Sequence, residues 1–489
     1  MQRKIWAFML GCFLMLVPLL VFQPSNGTPS QAITIRFWYT ENDAEKPGVL
    51  KLVSDFEAAN PSITVEAEQK GFFDARSLYQ NAYIAAEEPP VFRAARDWVI
   101  EFAQANMILP LDDYFTTEDE QDFIPNALRL VTYPGADGKL HYFGFPQVVD
   151  APALFYNKHL FEQAGIDTSQ ITVETSWTWD EFKQNCLKLA NPPSQYAFTM
   201  AGMFFGAQGI FFGHGGKIFT GDTVSISDIA IDSPESLAAF EAVKEIADAN
   251  YTPAWDLQGW GTLNTYFASP STLQVAMIQQ GPWELRNFLD NSIEFNGSVS
   301  GAKSYASADN LGIMQLPHDE EGHQGAPLGG HAYVVSKGTP PSKVEAAVKL
   351  AKFMASKEAM KLRAMKYYLV PPRQSVFEDS EVQASDTWDY LQVFKKMTDV
   401  ATQVPVSHYW AQLETDLANE MDEYLADEST LSQFINATIA LWKTYLPSGA
   451  AIETESEDEY TPGFGFVALI AAVPIMAIAA RKKKRMVPK

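Results

Sequence analysis

The first part of the chain alternates between two hydrophobic periods. Residues 32–39 alternate with a period of two, which predicts a strand with Ile33, Ile35 and Phe37 on one face. Predicted helices and strands then follow in turn: a helix through Val49, Val53 and Phe56, a strand at 63–66, a helix at 78–86, a strand at 91–92 and a helix at 98–105. Strands that alternate with helices predict βαβ units and a mostly parallel sheet, so the fold class is α/β.

The stretch Gly144–Lys158 is the most informative part of the sequence. It opens with turn residues and then runs apolar, as expected of a buried strand, apart from one acid, Asp150. An unpaired buried charge is costly, so Asp150 must have partners in the fold.

The rest of the body continues the mixed pattern. The predicted elements are a helix at 234–249, strands at 311–317 and 332–336, a helix from about 344 to 365, and a helix with Leu413, Leu417, Met421 and Leu425 in a stripe. No internal repeat is evident.

Composition narrows the class of protein. At 489 residues the chain is long enough for two or more domains, and its 47% hydrophobic content can fill a large core. The net charge of −24 argues against nucleic-acid binding. The two cysteines, Cys12 and Cys186, exclude a disulfide framework in the mature chain and a thiolate metal site.

The N-terminal residues 1–28 are typical of a secretory signal. Arg3 and Lys4 precede the apolar segment 5–22, and a polar exit follows it. An uncleaved membrane anchor is the alternative.

The C-terminus carries a second exported-protein pattern. An acidic spacer, 449–461, is followed by Pro462-Gly-Phe464, an apolar run and the basic tail 481–485. This order resembles the PGF-type sorting signals of archaeal surface proteins, which implies cleavage near Phe464 and replacement of 462–489 by a lipid. The alternative is a plain C-terminal membrane anchor with its basic tail in the cytoplasm.

Three blocks of the body carry a wider resemblance. They are Gly144–Lys158 with Thr178-Trp-Asp-Glu-Phe182, Ala276-Met-Ile-Gln-Gln-Gly-Pro-Trp283, and Gly329-Gly330 with the following helix and Pro371-Pro-Arg373. In this order they resemble the family 1 extracellular solute-binding proteins, the sugar-binding subunits of ABC importers. The resemblance covers about residues 33–448.

The resemblance implies a periplasmic-binding-protein type II-like fold. Two lobes with mixed sheets would be joined by crossovers near Gln147, Met314 and Pro371, with the ligand in the cleft between them. The first lobe would comprise 32–147 and 318–371, and the second 148–317 and 372–448.

The same resemblance implies a function. The chain would capture a sugar by hinge closure and deliver it to permease subunits in the membrane, outside the cell, as a monomer without catalysis, cofactor or metal.

Candidate binding residues follow from the chemistry of sugars, which present apolar ring faces and hydroxyl rims. Aromatic side chains stack on the faces, and charged groups hydrogen-bond the rims. The residues that match the family's cleft positions are Trp38, Asp43, Arg93, Asp97, Asp150, Phe205, Trp283, Gly330 and Trp410. Structural alternatives stay open: a helix N-cap for Asp97, an arginine partner for Asp150, and core packing for the tryptophans.

Two other functions are alternatives to sugar capture: a glycosidase and a structural or carbohydrate-binding surface protein. A glycosidase needs two carboxylates flanking the scissile bond, one of them a proton donor, and nothing marks Asp97 or Asp150 as that donor. A purely structural or carbohydrate-binding surface protein is the other alternative. The segment His318–His323 could be drawn as a metal site, but its Gly-rich spacing favours a solvated turn.

Overall fold

A computed structural model describes residues 32–448 except 136, 201–203, 222–223, 254–259, 269–273, 290–309, 403–404, 406 and 408. The predicted signal at 1–28, the spacer and the sorting signal therefore lie outside the described residues. The described strands are β1 Ile33–Tyr39, β2 Ile63–Gln69, β3 Val91–Ala95, β4 Thr132–Pro134, β5 Leu140–Tyr142, β6 Phe145–Asp150, β7 Ala153–Asn157, β8 Gln195–Thr199, β9 Gln274–Gln280, β10 Leu311–Met314 and β11 Gly329–Val335.

Helices cover both sheets. The described α-helices are α1 Lys46–Ala59, α2 Phe72–Ile84, α3 Arg96–Gln104, α4 Thr117–Asp122, α5 Pro125–Arg129, α6 Lys158–Gln163, α7 Trp179–Leu189, α8 Phe204–Gly213, α9 Pro234–Asp248, α10 Trp260–Ala268, α11 Pro282–Leu289, α12 Pro341–Met354, α13 Lys357–Tyr367, α14 Gln374–Phe377, α15 Ser380–Gln383, α16 Trp388–Val400, α17 Trp410–Leu425 and α18 Leu431–Trp442.

Two mixed sheets form the centres of two lobes. The first has the order β2-β1-β3-β11-β6 and the second the order β10-β7-β9-β8. In the first sheet β1 lies parallel to β2 and β3, while β11 is antiparallel to both β3 and β6. The predicted α/β class is confirmed, but the mostly parallel sheet expected from the alternation is wrong, because β11 pairs antiparallel to both of its neighbours.

The chain passes between the sheets three times. The Gly144–Lys158 stretch forms two strands, because it breaks at Ala151-Pro152 between β6 in the first sheet and β7 in the second. The first change of sheet thus falls three residues after the expected end of the first lobe, Gln147. The second passage runs from β10 in the second sheet to β11 in the first. The third passage includes α16, which packs against β6 of the first sheet and against β7 and β10 of the second.

Local sequence explains where several helices start. In α7 the Thr178 hydroxyl accepts from the Glu181 backbone N–H at 3.1 Å, and the Glu181 carboxylate accepts from the Thr178 N–H at 2.9 Å. This capping box accounts for the Thr-Trp-Asp-Glu motif. The stripe predicted for the helix that is now α17 is buried at all four positions.

One predicted helix was wrong in extent. The segment expected to run unbroken to about Met365 is split between α12 and α13. Ser356 caps α13, since its hydroxyl accepts from the Ala359 N–H at 3.2 Å.

Candidate functional site

Polar segments converge at one edge of the first sheet. Because β3 and β6 are both antiparallel to β11, they run in the same direction, and their carboxyl ends meet the amino end of β11. Asp150 ends β6 opposite Gly329, and Arg96 and Asp97 begin α3 directly after β3. This edge is where ligands bind in open α/β folds.

Arg93 links three strands inside the first lobe. Its Nε donates to Oε1 of Gln147 at 2.9 Å, and its Nη1 donates to the Thr40 hydroxyl at 2.8 Å. Its Nε also lies 3.6 Å from Oε1 of Glu41, which accepts from the Tyr333 hydroxyl at 2.7 Å. The structure therefore gives Arg93 protein partners on β6 and after β1.

Asp150 is buried at the hinge edge. Burial raises the pKa of its carboxyl to about 7, while Arg93 and Arg96 lower it. His331 Nδ1 lies 3.9 Å from Oδ2 of Asp150, too far for a hydrogen bond. Burial and Arg93 lower the pKa of His331, so its ring is neutral, and neither ring nitrogen has a hydrogen-bond partner among the described residues.

Asp97 lies in the first turn of α3. The N-cap residue of that helix is Ala95, so Asp97 is not the cap. Burial raises the pKa of its carboxyl, opposed by Arg96 and by the backbone N–H groups of Asp97 and Trp98. The Asp97 side chain is only half-buried, so it has access to solvent at this edge of the first sheet.

The second lobe contributes the predicted aromatic residues. Trp283 lies at the start of α11 and Phe205 at the start of α8, with ring centroids 6.3 Å apart. Trp410 opens α17 and is only 2% exposed. Glu414 lies one turn further along α17, where Gln208 Nε2 donates to its Oε1 at 3.1 Å and Gln208 and Trp410 lower the pKa of its carboxyl.

The two lobes approach each other at these groups. Asn42 Nδ2, in the turn after β1, donates to the carbonyl oxygen of Trp283 at 2.9 Å. The Glu414 carboxyl interacts electrostatically with Asp97 and Arg96 of the first lobe, and burial with the facing Asp97 raises its pKa to about 7. The two lobes therefore meet at two places: Asn42 contacts Trp283, and Glu414 lies within electrostatic range of Asp97 and Arg96.

Three further predicted residues lie around the first lobe. Lys70 Nζ lies 4.2 Å from the ring centroid of the half-buried Trp38. The exposed Asp43 accepts a hydrogen bond from Gln69 Nε2 at 3.0 Å. Gly330 has φ 152°, and a Cβ there would meet the Val148 carbonyl oxygen at 2.7 Å. Glycine is therefore required at 330 for backbone reasons.

The side chains of four further residues near these groups were not predicted from the sequence. They are Glu414, Gln208, His331 and Phe72, whose ring centroid lies 5.1 Å from that of Trp98 and 5.8 Å from that of His331. A signal existed for Glu414, since it follows Trp410 by four positions and so shares its helix face.

The profile of the bacterial extracellular solute-binding proteins matches residues 51–388. The chain belongs to this family. This solute-binding protein is 25% identical to the maltotriose-binding protein of Pyrococcus abyssi over 352 residues, which is 71% of this chain and 68% of that protein.

Solved structures share its fold. The GacH receptor of Streptomyces glaucescens, solved unliganded and with acarbose, superposes with a TM-score of 0.71 at 24% identity, covering 85% of this chain and 98% of the receptor. Maltose-bound MalE3 of T. maritima gives 0.70 at 21% identity, covering 85% and 100%. The expected periplasmic-binding-protein type II fold is confirmed.

Two features are absent from the described residues. No group of three or more His, Cys, Asp or Glu side chains there could hold a metal ion. In the same part of the chain, no helix combines the length and apolar character needed to cross a bilayer.

Proposed function

We propose that this solute-binding protein captures a sugar in the gap between its lobes and delivers it to the permease of an ABC transporter. The observation that carries the proposal is the convergence of acids and aromatic rings from two lobes. Asp97 and Asp150 belong to the first, Phe205 and Trp283 to the second, and Asn42 already bonds the Trp283 carbonyl.

The chemistry of the gap suits a neutral carbohydrate. A buried aromatic contact contributes about 1.5–3 kcal/mol and a hydrogen bond to a charged group about the same. Two of each can reach the roughly 8 kcal/mol of a micromolar complex after the cost of association. The relatives support this class of ligand, because their names specify maltotriose, maltose and acarbose.

Capture would work by lobe closure. A sugar that contacts both lobes binds the closed form more tightly than the open form, because some of its contacts exist only when the lobes are closed. The difference in binding free energy between the two forms is what stabilises the closed one. The closed form then docks on the permease, and the protein itself does no chemistry. We expect a monomer that does not bind nucleic acid.

The ends of the chain support a location outside the cell. The pattern at 1–28 directs export, and the acidic spacer 449–461 would tether the body to the membrane through the segment 462–489 or a lipid that replaces it.

Calorimetry of the exported body against maltotriose, maltose, trehalose and glucose tests the proposal. We expect micromolar binding of at least one sugar, and a loss of affinity of tenfold or more in both Trp283→Ala and Asp150→Ala. The absence of binding to every sugar, or steady hydrolysis of a glycoside, would overturn it.

A further inference from the structure

We propose that Glu414 is a ligand-binding carboxylate of the second lobe, opposite Asp97 of the first, and that the two accept hydroxyl protons of one sugar unit from opposite sides. This inference rests on the proposed function and adds a residue that the aromatic and hinge positions do not include.

The position of Glu414 is set from within its own lobe. Gln208 on α8 donates to Oε1 of Glu414 at 3.1 Å, and Trp410, one turn earlier in α17, also lowers the pKa of this carboxylate. Gln208 is fully buried and Trp410 nearly so, whereas Glu414 is half-buried. Two buried side chains thus act on a carboxylate that reaches solvent.

The other side of Glu414 belongs to the first lobe. The groups that act on it from there are Asp97, which repels it, and Arg96, which attracts it. Arg96 also acts on Asp97 and Asp150, on which Arg76 and Arg93, respectively, act as well. Carboxylate acceptors and guanidinium donors thus occur together here, and a ligand whose hydroxyls both donate and accept complements them.

Two polar atoms of residues that act on Glu414 are unpartnered within the described part of the chain. Among the described residues, Arg96 Nη1 on the first lobe and Gln208 Oε1 on the second are buried without a hydrogen-bond partner. Buried polar groups normally have partners, so one missing acceptor and one missing donor point to a ligand. A sugar hydroxyl both donates and accepts, so adjacent hydroxyls of one ring can serve Arg96, Gln208 and the carboxylates together.

The proposal carries a pH signature. Burial and the facing Asp97 raise the pKa of Glu414 to about 7, against Arg96, Gln208 and Trp410, which lower it. An acceptor role needs the ionised form, so this part of the affinity is present above the pKa and is lost as pH falls from 8 to 6. Burial raises the pKa of Asp150 to about 7 as well, so some decline remains without Glu414.

The test is calorimetry with maltotriose and the sugar that binds best in the panel above, at pH 8 and pH 6. We expect Glu414→Gln to weaken binding at pH 8 at least tenfold and to show a smaller decline towards pH 6 than the unaltered protein. Glu414→Asp should weaken binding but keep the decline. Glu235→Gln, which neutralises an exposed carboxylate in the first turn of α9, is the matched control and should change neither.

Thermal melts of each variant separate binding from folding. A lower melting temperature in Glu414→Gln with unchanged affinity and pH profile would overturn the inference, because it would show a structural role only. Unchanged affinity with unchanged melting would overturn it equally. Failure of the unaltered protein to bind any sugar would instead remove the proposed function, and this inference with it.

Discussion

At the scale of single residues, the lack of a side chain at Gly329 makes room for the carboxylate of Asp150. A Cβ at Gly329 would overlap with Oδ1 of Asp150, its partner across β11 and β6. Since that atom ends a side chain, the carboxylate would rotate away while the backbone pairing survives. Gly329 therefore sets the direction of Asp150.

Gly329→Ala should for that reason impair binding more than folding. We expect a drop in sugar affinity of roughly tenfold or more, the cost of about one hydrogen bond to a charged group, with a change of only a few degrees in melting temperature. Gly221→Ala, where a Cβ meets nothing within 4 Å, is the control. Full affinity in Gly329→Ala would contradict the role given to Asp150.

Sequence could predict part of this site. An acid in an apolar strand was predicted to need charged or polar partners. Arg93 and Arg96 do interact electrostatically with Asp150 and lower the pKa of its carboxyl against the effect of burial. The burial of Trp410 was not predictable, because it depends on the packing of α17 against α8, elements about 200 residues apart. The hydrogen bond from Gln208 to Glu414 was hidden for the same reason.

At the scale of elements, the segment after α13 is tied back to the first lobe by one arginine. Arg373 Nη2 donates to Oδ1 of Asp119 at 2.7 Å and Nη1 to Oδ2 of Asp122 at 3.2 Å, while its guanidinium lies 3.9 Å from the Phe123 ring centroid. Burial raises the pKa of Asp119, but hydrogen bonds from Lys352 and Arg373 outweigh it and lower the value. The third passage between lobes thus starts after Arg373, later than expected from Pro371.

Replacing this arginine should be costly. We expect Arg373→Met to lower the free energy of unfolding by up to about 3–5 kcal/mol, because Lys352 and Lys357 compensate the two largely buried carboxylates only in part. Arg373→Lys should lose less, since it keeps the charge but not the planar fork.

Urea unfolding measures this difference. Lys357→Met is the matched control, because that lysine is 42% exposed in its contacts with Glu118 and Asp122 and should cost less than about 1 kcal/mol. Equal midpoints for Arg373→Met and Lys357→Met would contradict the expectation.

The elements themselves were largely readable from the sequence. Period-two and helical patterns located β1 to β3, α9 and α17, since each buries one face. The break between α12 and α13 was missed because apolar residues continue across it, and only the capping preference of Ser356 marks it.

At the scale of the whole molecule, one amide spans the two lobes. Asn42 Oδ1 accepts from the Glu45 N–H at 3.1 Å and closes the turn before α1, while its Nδ2 reaches Trp283. The same residue therefore serves local structure and lobe closure. Sequence indicated two lobes through the resemblance, but how closely they approach follows only from coordinates.

Asn42→Ser should separate these two roles. Serine can still accept from Glu45, so thermal stability should stay within about 1 kcal/mol, but it cannot reach the Trp283 carbonyl. We expect sugar affinity to fall roughly threefold to tenfold, as for one neutral hydrogen bond. X-ray scattering should show a larger radius of gyration for the ligand-free variant, and an unchanged radius and affinity would rule out the amide as a closure contact.

The place of β11 between β3 and β6 governs when the first lobe can be completed. β6 pairs with β11 alone among the described strands, and β11 arrives about 180 residues later in the chain. A chain that emerges amino end first must therefore keep two open strand edges until residue 335 is available. Unpaired edges invite association with other chains, so this interval is when the protein is most prone to aggregate.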